Sequence, residues 1–226
     1  MKVAVIRFPG ANCDQDAYYA LKDDLGIESQ YVWHEDTSLA GFDAAFLPGG
    51  FAYGDYLRCG AIAARAPIMD EVARFAREGR PVLGACNGFQ VLCEAGILPG
   101  ALLLNASQKF VCRQVTLQAV SKKSIWTEGV NRLLRMPVAH GEGRYVCEPE
   151  VLKRLRDNDQ IAFRYVAFDD QDTMYNVNGS VDDIAGVINE KGNVLGLMPH
   201  PERATREILG SADGLAILRA LTLLKA

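Results

Sequence analysis

The stretch PVLGACNGFQVL, residues 81–92, decides the fold, because it changes from a strand pattern to a helix pattern at a single cysteine. Pro81–Leu83 is a short apolar run typical of a buried strand, and Phe89–Leu92 begins a helical pattern. Glycine and alanine residues surround Cys86 on the turn between them. A buried cysteine is most often a packing residue. A strand–nucleophile–helix turn, however, also holds a side chain above the sheet and aims helix N–H groups at whatever that side chain attacks.

The composition is that of an ordinary globular protein. The 226 residues are 49% hydrophobic and 23% charged, and the formal net charge is -4, which argues against binding to a nucleic-acid backbone. The apolar run at the start of the chain stops at Pro9-Gly10, too early for a signal peptide, and no run approaches the length of a membrane span. We therefore expect a cytoplasmic protein with reduced cysteines and no contact with a membrane.

Strand patterns and amphipathic helix patterns alternate along the first part of the chain. The strands read from the patterns are 2–8, 29–34, 44–48 and 81–85, and the helices are 13–26, 66–79 and 88–96. Apolar strands separated by helices predict an α/β protein with an open, mostly parallel sheet and helices on both faces.

The second half of the chain is richer in strands. Residues 110–120 and 136–140 indicate a small antiparallel region, and 184–188 with 194–198 predict a hairpin. The chain closes with a helix pattern for which Ser211 is a plausible N-cap. Repeats and linkers are absent from the sequence, so we expect one domain over residues 1–226.

Two further turns follow strands of the expected sheet, and open α/β sheets bind ligands beyond the carboxyl ends of their strands. Gly49-Gly50 follows one strand, and such a pair can point backbone N–H groups at a ligand or simply form a tight turn. Pro199-His200-Pro201-Glu202 follows another. The two prolines favour an extended, stiff mount for His200, and Glu202 can then orient its imidazole.

Together the three turns supply the parts of an acyl-transfer site. Cys86 would be the nucleophile, His200 the base and Glu202 the group that orients the base, since such triads assemble from distant strand ends. A helix N-terminus and a nearby imidazole favour the reactive thiolate. The oxyanion donors would be the backbone N–H groups of Gly50, Phe51 and Asn87. The predicted reaction is attack on an amide or ester carbonyl, a thioester on Cys86, and hydrolysis.

The same residues carry a resemblance to a known family. The strings GACNGFQ and MPHPE, with the Pro-Gly-Gly turn, resemble the class I (triad) glutamine amidotransferases. The longer strings FPGANCD, GGFAYGDYLRCGA, PVAHGEGR and VNGS…IAGV are similar to those of the glutaminase subunits of phosphoribosylformylglycinamidine synthases, which act in purine biosynthesis. The resemblance runs from residue 2 to about residue 224. One departure is Val177, where the family string has proline.

The resemblance implies a flavodoxin-like fold and release of ammonia from L-glutamine by Cys86, His200 and Glu202. The residues it suggests for the glutamine pocket are Gln90, Asn105, Phe110 and Arg113. Gln90 could equally be a side chain of the helix N-terminus without contact to substrate, and a surface role for Arg113 is as reasonable. The residues expected to face a partner are Tyr53, Arg58 and His140. His140, which is followed by glycine, could also be read as a rival to His200 as the base, but it lacks the paired prolines.

The resemblance also implies two partners, namely a large synthetase that uses ATP and a small bridging subunit. The sequence has no GxxxxGK[ST] motif and no metal-ligand spacing, so we expect no cofactor in this chain and assign ATP and Mg²⁺ to the synthetase.

Two other functions remain open on the residues alone. The chain could be a stand-alone cysteine hydrolase or peptidase that acts on other amides. It could also be a binding module in which Cys86 is a packing or redox residue. We interpret the remaining cysteines, 13, 59, 93, 112 and 147, as structural, and we assign no role to His34.

Overall fold

The computed structural model describes residues 1–169 and 172–222. Its strands are β1 (Lys2–Arg7), β2 (Glu28–Trp33), β3 (Ala44–Leu47), β4 (Val82–Ala85), β5 (Ala101–Leu103), β6 (Val111–Ala119), β7 (Leu134–His140), β8 (Arg144–Val146), β9 (Ile161–Val166), β10 (Ile184–Ile188) and β11 (Val194–Leu197). Its α-helices are α1 (Asp14–Tyr19), α2 (Ile68–Glu78), α3 (Asn87–Glu94), α4 (Pro149–Asp157) and α5 (Gly214–Leu218).

One mixed sheet contains nine of these strands, in the order β2-β1-β3-β4-β11-β10-β9-β6-β7. The strands from β2 to β11 pair in parallel. The strands from β11 to β7 pair antiparallel, including the predicted β10–β11 hairpin. The predicted α/β fold is confirmed, and the antiparallel strands extend the same sheet.

Small residues let α3 lie unusually close to the sheet. A Cβ at Gly88 would come within 2.0 Å of the Leu47 oxygen, and one at Gly196 within 2.0 Å of the Phe89 ring. The strands below are buried along their whole length, as expected for strands covered on both faces. This packing fixes the start of α3, and with it Cys86, at the carboxyl end of the parallel strands.

Several elements differ from the sequence predictions. The helix expected from residue 13 is α-helical only to Tyr19 and continues as a wider π-turn over Ala20–Asp24. The last helix begins at Gly214, with Asp213 at its N-cap position, and Ser211 instead accepts a hydrogen bond from the Asp213 N–H. The predicted continuation over 223–226 lies outside the described residues.

The sequence patterns missed α4 and β9. Helix α4 is strongly polar and buries only Leu155, so its apolar face is too narrow to recognise. Strand β9 is buried between β10 and β6. Among the residues that the structure describes, no helix is both long and apolar enough to cross a membrane.

Candidate active site

The carboxyl ends of three neighbouring parallel strands form the candidate site. Strand β4 lies between β3 and β11, and Ala85 is the register partner of Leu197. The Cys86 N–H donates a 2.8 Å hydrogen bond to the Leu197 oxygen, which ties the turn after β4 to the end of β11. The two motifs around Cys86 and His200, 114 residues apart, are therefore adjacent in space.

Cys86 occupies a strained turn. Its φ of 49° and ψ of -106° are unfavourable for a residue with a Cβ, as in the nucleophile turns of other α/β enzymes. The Phe89 and Gln90 N–H groups both donate to the Cys86 oxygen, at 3.0 and 3.2 Å, which anchors the turn to α3. The thiol is 5% exposed and lies 3.8 Å from the Ala139 oxygen. The sulphur is thus held at the N-terminus of α3.

Glu202 contacts His200, as the sequence predicted, and the structure shows that the pair is buried. Glu202 Oε1 lies 2.6 Å from His200 Nδ1, and both residues are 2% exposed. The backbone of His200 is extended, and its backbone N–H donates to the Pro137 oxygen at 2.9 Å. Its Nε2 has no hydrogen-bond partner among the described residues. A carboxylate on Nδ1 places the hydrogen of a neutral ring there and leaves Nε2 free to exchange a proton.

The surroundings of His200 favour its charged form. Burial opposes the charge, but attraction to Glu202 and to Cys86 outweighs burial, so the pKa of His200 lies well above its ordinary value. An imidazole of this kind holds its proton beside Cys86 at neutral pH. That is the state from which a proton can be delivered to a leaving group.

Two of the three residues predicted to stabilise an oxyanion have backbone N–H groups that are free to do so. Within the described part of the chain, the N–H groups of Gly50 and Asn87 donate no hydrogen bond. Gly50 has a φ of +142°, and a Cβ there would come within 2.7 Å of the Asn12 nitrogen, so only glycine fits. The prediction for Phe51 is wrong, because its N–H donates to the Gly10 oxygen at 3.2 Å.

Gln90 is one turn of helix beyond Cys86 and is 4% exposed. Its Nε2 donates to the Glu142 oxygen at 2.6 Å, and its Oε1 accepts from Asn87 Nδ2 at 2.8 Å. The residue therefore joins α3 to the turn after β7. That it also contacts the substrate stays a prediction.

The prediction that Asn105 lines the glutamine pocket is not supported by its contacts. The residue is 1% exposed, and its Nδ2 donates to the oxygens of Lys109 and His140 at 2.9 Å. Its Oδ1 accepts from the Gly143 N–H at 3.0 Å and lies 3.0 Å from His140 Nδ1. Because both ends of the amide are used within the protein, Asn105 shapes the turn after β7 instead of binding a ligand.

The other two predicted pocket residues lie at the surface. Phe110 is 55% exposed, and its ring lies 3.9 Å from where a Cβ of Gly141 would stand, at the rim of the same turn. Arg113 forms a 3.8 Å ion pair with Asp172. This pairing favours the surface role over contact with a substrate carboxylate.

Tyr53 and Arg58, both predicted to face a partner, are anchored but reachable. The Tyr53 hydroxyl is hydrogen-bonded to His34 Nδ1 at 2.8 Å, which gives His34 a structural role that the sequence did not suggest. Arg58 forms a bidentate ion pair with Glu94, and its side chain is 61% exposed.

The prediction that His140 faces a partner is wrong. The residue is 3% exposed and hydrogen-bonded to Asn105, because it lies on the buried face of β7, whose positions alternate between buried and less buried. Burial, with the nearby charge of His200, lowers the pKa of His140 to about 4. A neutral imidazole without a carboxylate partner is a poor alternative to His200 as the base.

Sequence reasoning missed the surroundings of the site. The donor atoms of Cys13, His200 and Glu202 lie within 4.8 Å of one another, a set that could in principle ligate a metal ion. The tight His200–Glu202 hydrogen bond and the nearby Arg203 charge, which acts on Cys13, disfavour a cation there. The FPGANCD string contained Cys13 but gave no sign of its contact.

Two acidic residues also lie near Gln90. Asp55 Oδ1 is 3.5 Å from Asn87 Nδ2. Burial raises the pKa of Asp55, and the neighbouring carboxylate of Glu142 adds to the effect. The sequence places these two carboxylates 87 residues apart, so their proximity could not be read from it.

Comparison with known proteins identifies the family. Residues 1–213 match the sequence profile of the CobB/CobQ-like glutamine amidotransferase domain. The chain belongs to this family. A chain in the structure of PurLQS from Thermotoga maritima is 43% identical to this glutamine amidotransferase, with a TM-score of 0.86, and the match covers 98% of this chain and 97% of that one.

A second solved structure is more distant. It is a Thermoplasma acidophilum protein described as part of a GMP synthase, 17% identical, with a TM-score of 0.63 and coverage of 98% and 92% of the two chains. This second likeness shows the fold alone. The α/β architecture is thus shared well beyond the nearer relative.

The buried neutral state of His140 predicts a pH dependence of stability. Between pH 6.5 and about 4 the unfolded chain binds a proton on this residue and the folded chain does not, so the free energy of unfolding falls as the pH falls. We expect urea unfolding to show this loss in the wild type. His140→Asn, which keeps a donor for Asn105, should reduce the slope by up to about 1.4 kcal/mol per pH unit.

His200 does not contribute to the loss of unfolding free energy between pH 6.5 and about 4. Its pKa is raised on folding, so its contribution is complete below pH 6.5 and is lost only as the pH rises above that. Parallel pH curves for the wild type and His140→Asn would contradict the neutral, buried assignment.

Proposed function

We propose that Cys86, His200 and Glu202 hydrolyse L-glutamine to glutamate and ammonia. One observation carries the proposal. In a chain of the glutamine amidotransferase family, the strained turn at Cys86 and the 2.6 Å His200–Glu202 hydrogen bond occupy the ends of adjacent strands. This arrangement supplies a nucleophile, a proton carrier and a group that orients the carrier.

The first half of the reaction forms a thioester. Sγ of Cys86 attacks the side-chain amide carbon of glutamine, and the thiol proton is held by His200. The negative charge on the carbonyl oxygen is stabilised by the N–H groups of Gly50 and Asn87. Collapse of this intermediate expels the amide nitrogen, which takes the proton from His200 and leaves as ammonia.

The second half releases glutamate. Water attacks the thioester carbon while His200 accepts its proton, and the same two N–H groups again hold the oxyanion. The carbon–sulphur bond then breaks, which releases glutamate and restores the Cys86 thiolate beside the charged His200. Throughout the cycle Glu202 keeps the ring oriented and stabilises its positive charge.

The chain acts as the glutaminase subunit of a phosphoribosylformylglycinamidine synthase. The 43% identity over nearly the full length of a PurLQS chain supports this assignment, as do the longer strings that contain the site residues. In this proposal a large synthetase subunit uses ATP and Mg²⁺ to convert formylglycinamide ribonucleotide to formylglycinamidine ribonucleotide. A small subunit bridges the two, and the complex works in the cytoplasm.

The surface beside the oxyanion turn suits the synthetase contact. Phe51, Tyr56 and Leu57 are 44%, 75% and 90% exposed. The same segment contains Tyr53, whose left-handed φ of 54° is an uncommon conformation for a residue with a Cβ. A displacement of about 1 Å at an oxyanion donor can change a rate about 10²-fold, so docking here can switch hydrolysis on.

The alternatives from the sequence fit less well. A stand-alone peptidase does not account for the near full-length match to a PurLQS chain. A binding module gives no reason for a strained Cys86 beside an oriented imidazole. Labelling by a glutamine-mimicking electrophile separates these functions, since only the proposed one predicts glutamine-protected modification at Cys86.

Cys86→Ala separates the two activities of the assembled complex. We expect glutamine-dependent synthesis to fall by roughly 10⁶, because the nucleophile is lost. Ammonia-dependent synthesis should stay nearly intact, since the synthetase reaction does not use this thiol. Steady-state rates with each nitrogen donor measure both. Cys147→Ser is the control, and an equal loss of both activities in correctly assembled Cys86→Ala complex would contradict the division of labour.

Glu202→Gln tests the orienting carboxylate. The amide keeps the size of the side chain but no longer stabilises the imidazolium, so glutamine hydrolysis should slow by about 10²- to 10⁴-fold. Partner binding should persist. The exposed residue Glu207 offers a matched control as Glu207→Gln. Near-normal turnover of Glu202→Gln at saturating partner would remove Glu202 from the mechanism.

A further inference from the structure

Cys13 is a second buried thiol next to the His200–Glu202 pair. It follows β1, is 3% exposed and forms no disulfide. Its sulphur and the donor atoms of His200 and Glu202 lie within 4.8 Å of one another. The proposed mechanism uses the other two groups and gives Cys13 no part.

Gly49 shows which edge of the imidazole faces Cys13. A Cβ at Gly49 would lie 2.6 Å from Cε1 and 3.1 Å from Nδ1 of His200, and 3.3 Å from the Cys13 sulphur. The sulphur therefore borders the ring edge that binds Glu202, while Nε2 is free of partners in the described structure. Gly49 is glycine because the thiol and the ring share the space beside it.

The sulphur is placed to receive a weak electrostatic contact from the positively charged Cε1–Nδ1 edge of the ring, because the Nδ1 hydrogen itself is donated to Glu202. Burial raises the pKa of Cys13, so it stays protonated at neutral pH and does not compete with Cys86 as a nucleophile. Its S–H donates to Asn12 Oδ1 at 3.6 Å, which leaves the sulphur lone pairs for the charged ring.

The backbone of the same segment supports the oxyanion turn. The Cys13 N–H donates to the Gly49 oxygen at 3.3 Å, and the Phe51 N–H donates to the Gly10 oxygen. A Cβ at Gly50 would come within 2.7 Å of the Asn12 nitrogen. One short segment thus touches both the base and the loop that carries an oxyanion donor.

We propose that Cys13 is a positioning residue for glutamine hydrolysis, which holds the charged His200 ring and the Gly49–Gly50 turn in register with Cys86. The inference rests on the proposed hydrolysis of glutamine at Cys86. It assigns a task to the FPGANCD string that the triad does not explain.

The role predicts a change in the pH profile. The groups that act on His200 are Cys13, Cys86, Glu202 and His140. His140 stays neutral above about pH 4, and the lone pairs of the Cys13 sulphur favour the charged ring. Removal of the sulphur should therefore let His200 lose its proton at lower pH, and the high-pH limb of kcat/KM should move to lower pH.

The experiment compares Cys13→Ala, Cys13→Ser and the control Cys147→Ser in the complex with the synthetase partner. For Cys13→Ala we expect kcat with glutamine to fall about 10- to 100-fold, KM to change less than about twofold, and the high-pH limb to move to lower pH. Cys13→Ser keeps an acceptor and should restore most of the rate and the limb. Ammonia-dependent synthesis should be unchanged in every variant.

Two results would overturn the role of Cys13. One is a wild-type rate and pH profile for Cys13→Ala. The other is a lower rate with an unmoved limb, which would make Cys13 a packing residue. If Cys13→Ala fails to fold, Cys13→Val fills the space without an acceptor and must show the same shift. Failure of the proposed function looks different, because Cys86→Ala would then retain glutamine-dependent activity.

Discussion

The contact of Gly88 with the Leu47 oxygen is the constraint on which the site depends. A side chain at Gly88 would overlap that oxygen, and one at Gly196 would overlap the Phe89 ring, so α3 can approach the strands only because both are glycine. The depth of α3 sets the height of Cys86 above the sheet. Burial of the helix, with Phe89 fully covered, stabilises the strained φ of Cys86. The parallel register of β4 and β11 then brings His200 to the same edge.

A network of amides shapes the other side of the site. Asn178 Nδ2 donates to the Gly143 oxygen at 2.8 Å and to the Tyr165 hydroxyl at 3.2 Å. The Gly143 N–H, in the same turn after β7, donates to Asn105 Oδ1. This turn presents the Glu142 oxygen to Gln90. Val177 stands where the family string has proline, but Asn176 Oδ1 accepts from the N–H groups of Gly179 and Ser180, so hydrogen bonds fix the loop in place of the proline ring.

The sequence predicted what local patterns can encode. Glycine and proline mark the turns at Cys86, Gly50 and His200, and their placement after apolar strands followed from strand–helix alternation. The errors at Asn105, His140 and Phe51 share one cause, since each residue is hydrogen-bonded to a segment 35 or more residues away. A polar residue in a motif shared with the family is easily interpreted as a ligand contact when its hydrogen-bond partner, distant in the sequence, is not known. Cys13 was missed for the same reason, because its neighbours in space are at the other end of the chain.

The central claim is that glutamine hydrolysis passes through a covalent intermediate on Cys86. The most direct test is to mix the assembled complex with glutamine, quench in acid within a turnover, and map the peptides by mass spectrometry. The account predicts one glutamyl group per chain, as a hydroxylamine-labile thioester on the peptide that contains Cys86. Steady glutamate formation with no such adduct, or with the adduct on another cysteine, would contradict it.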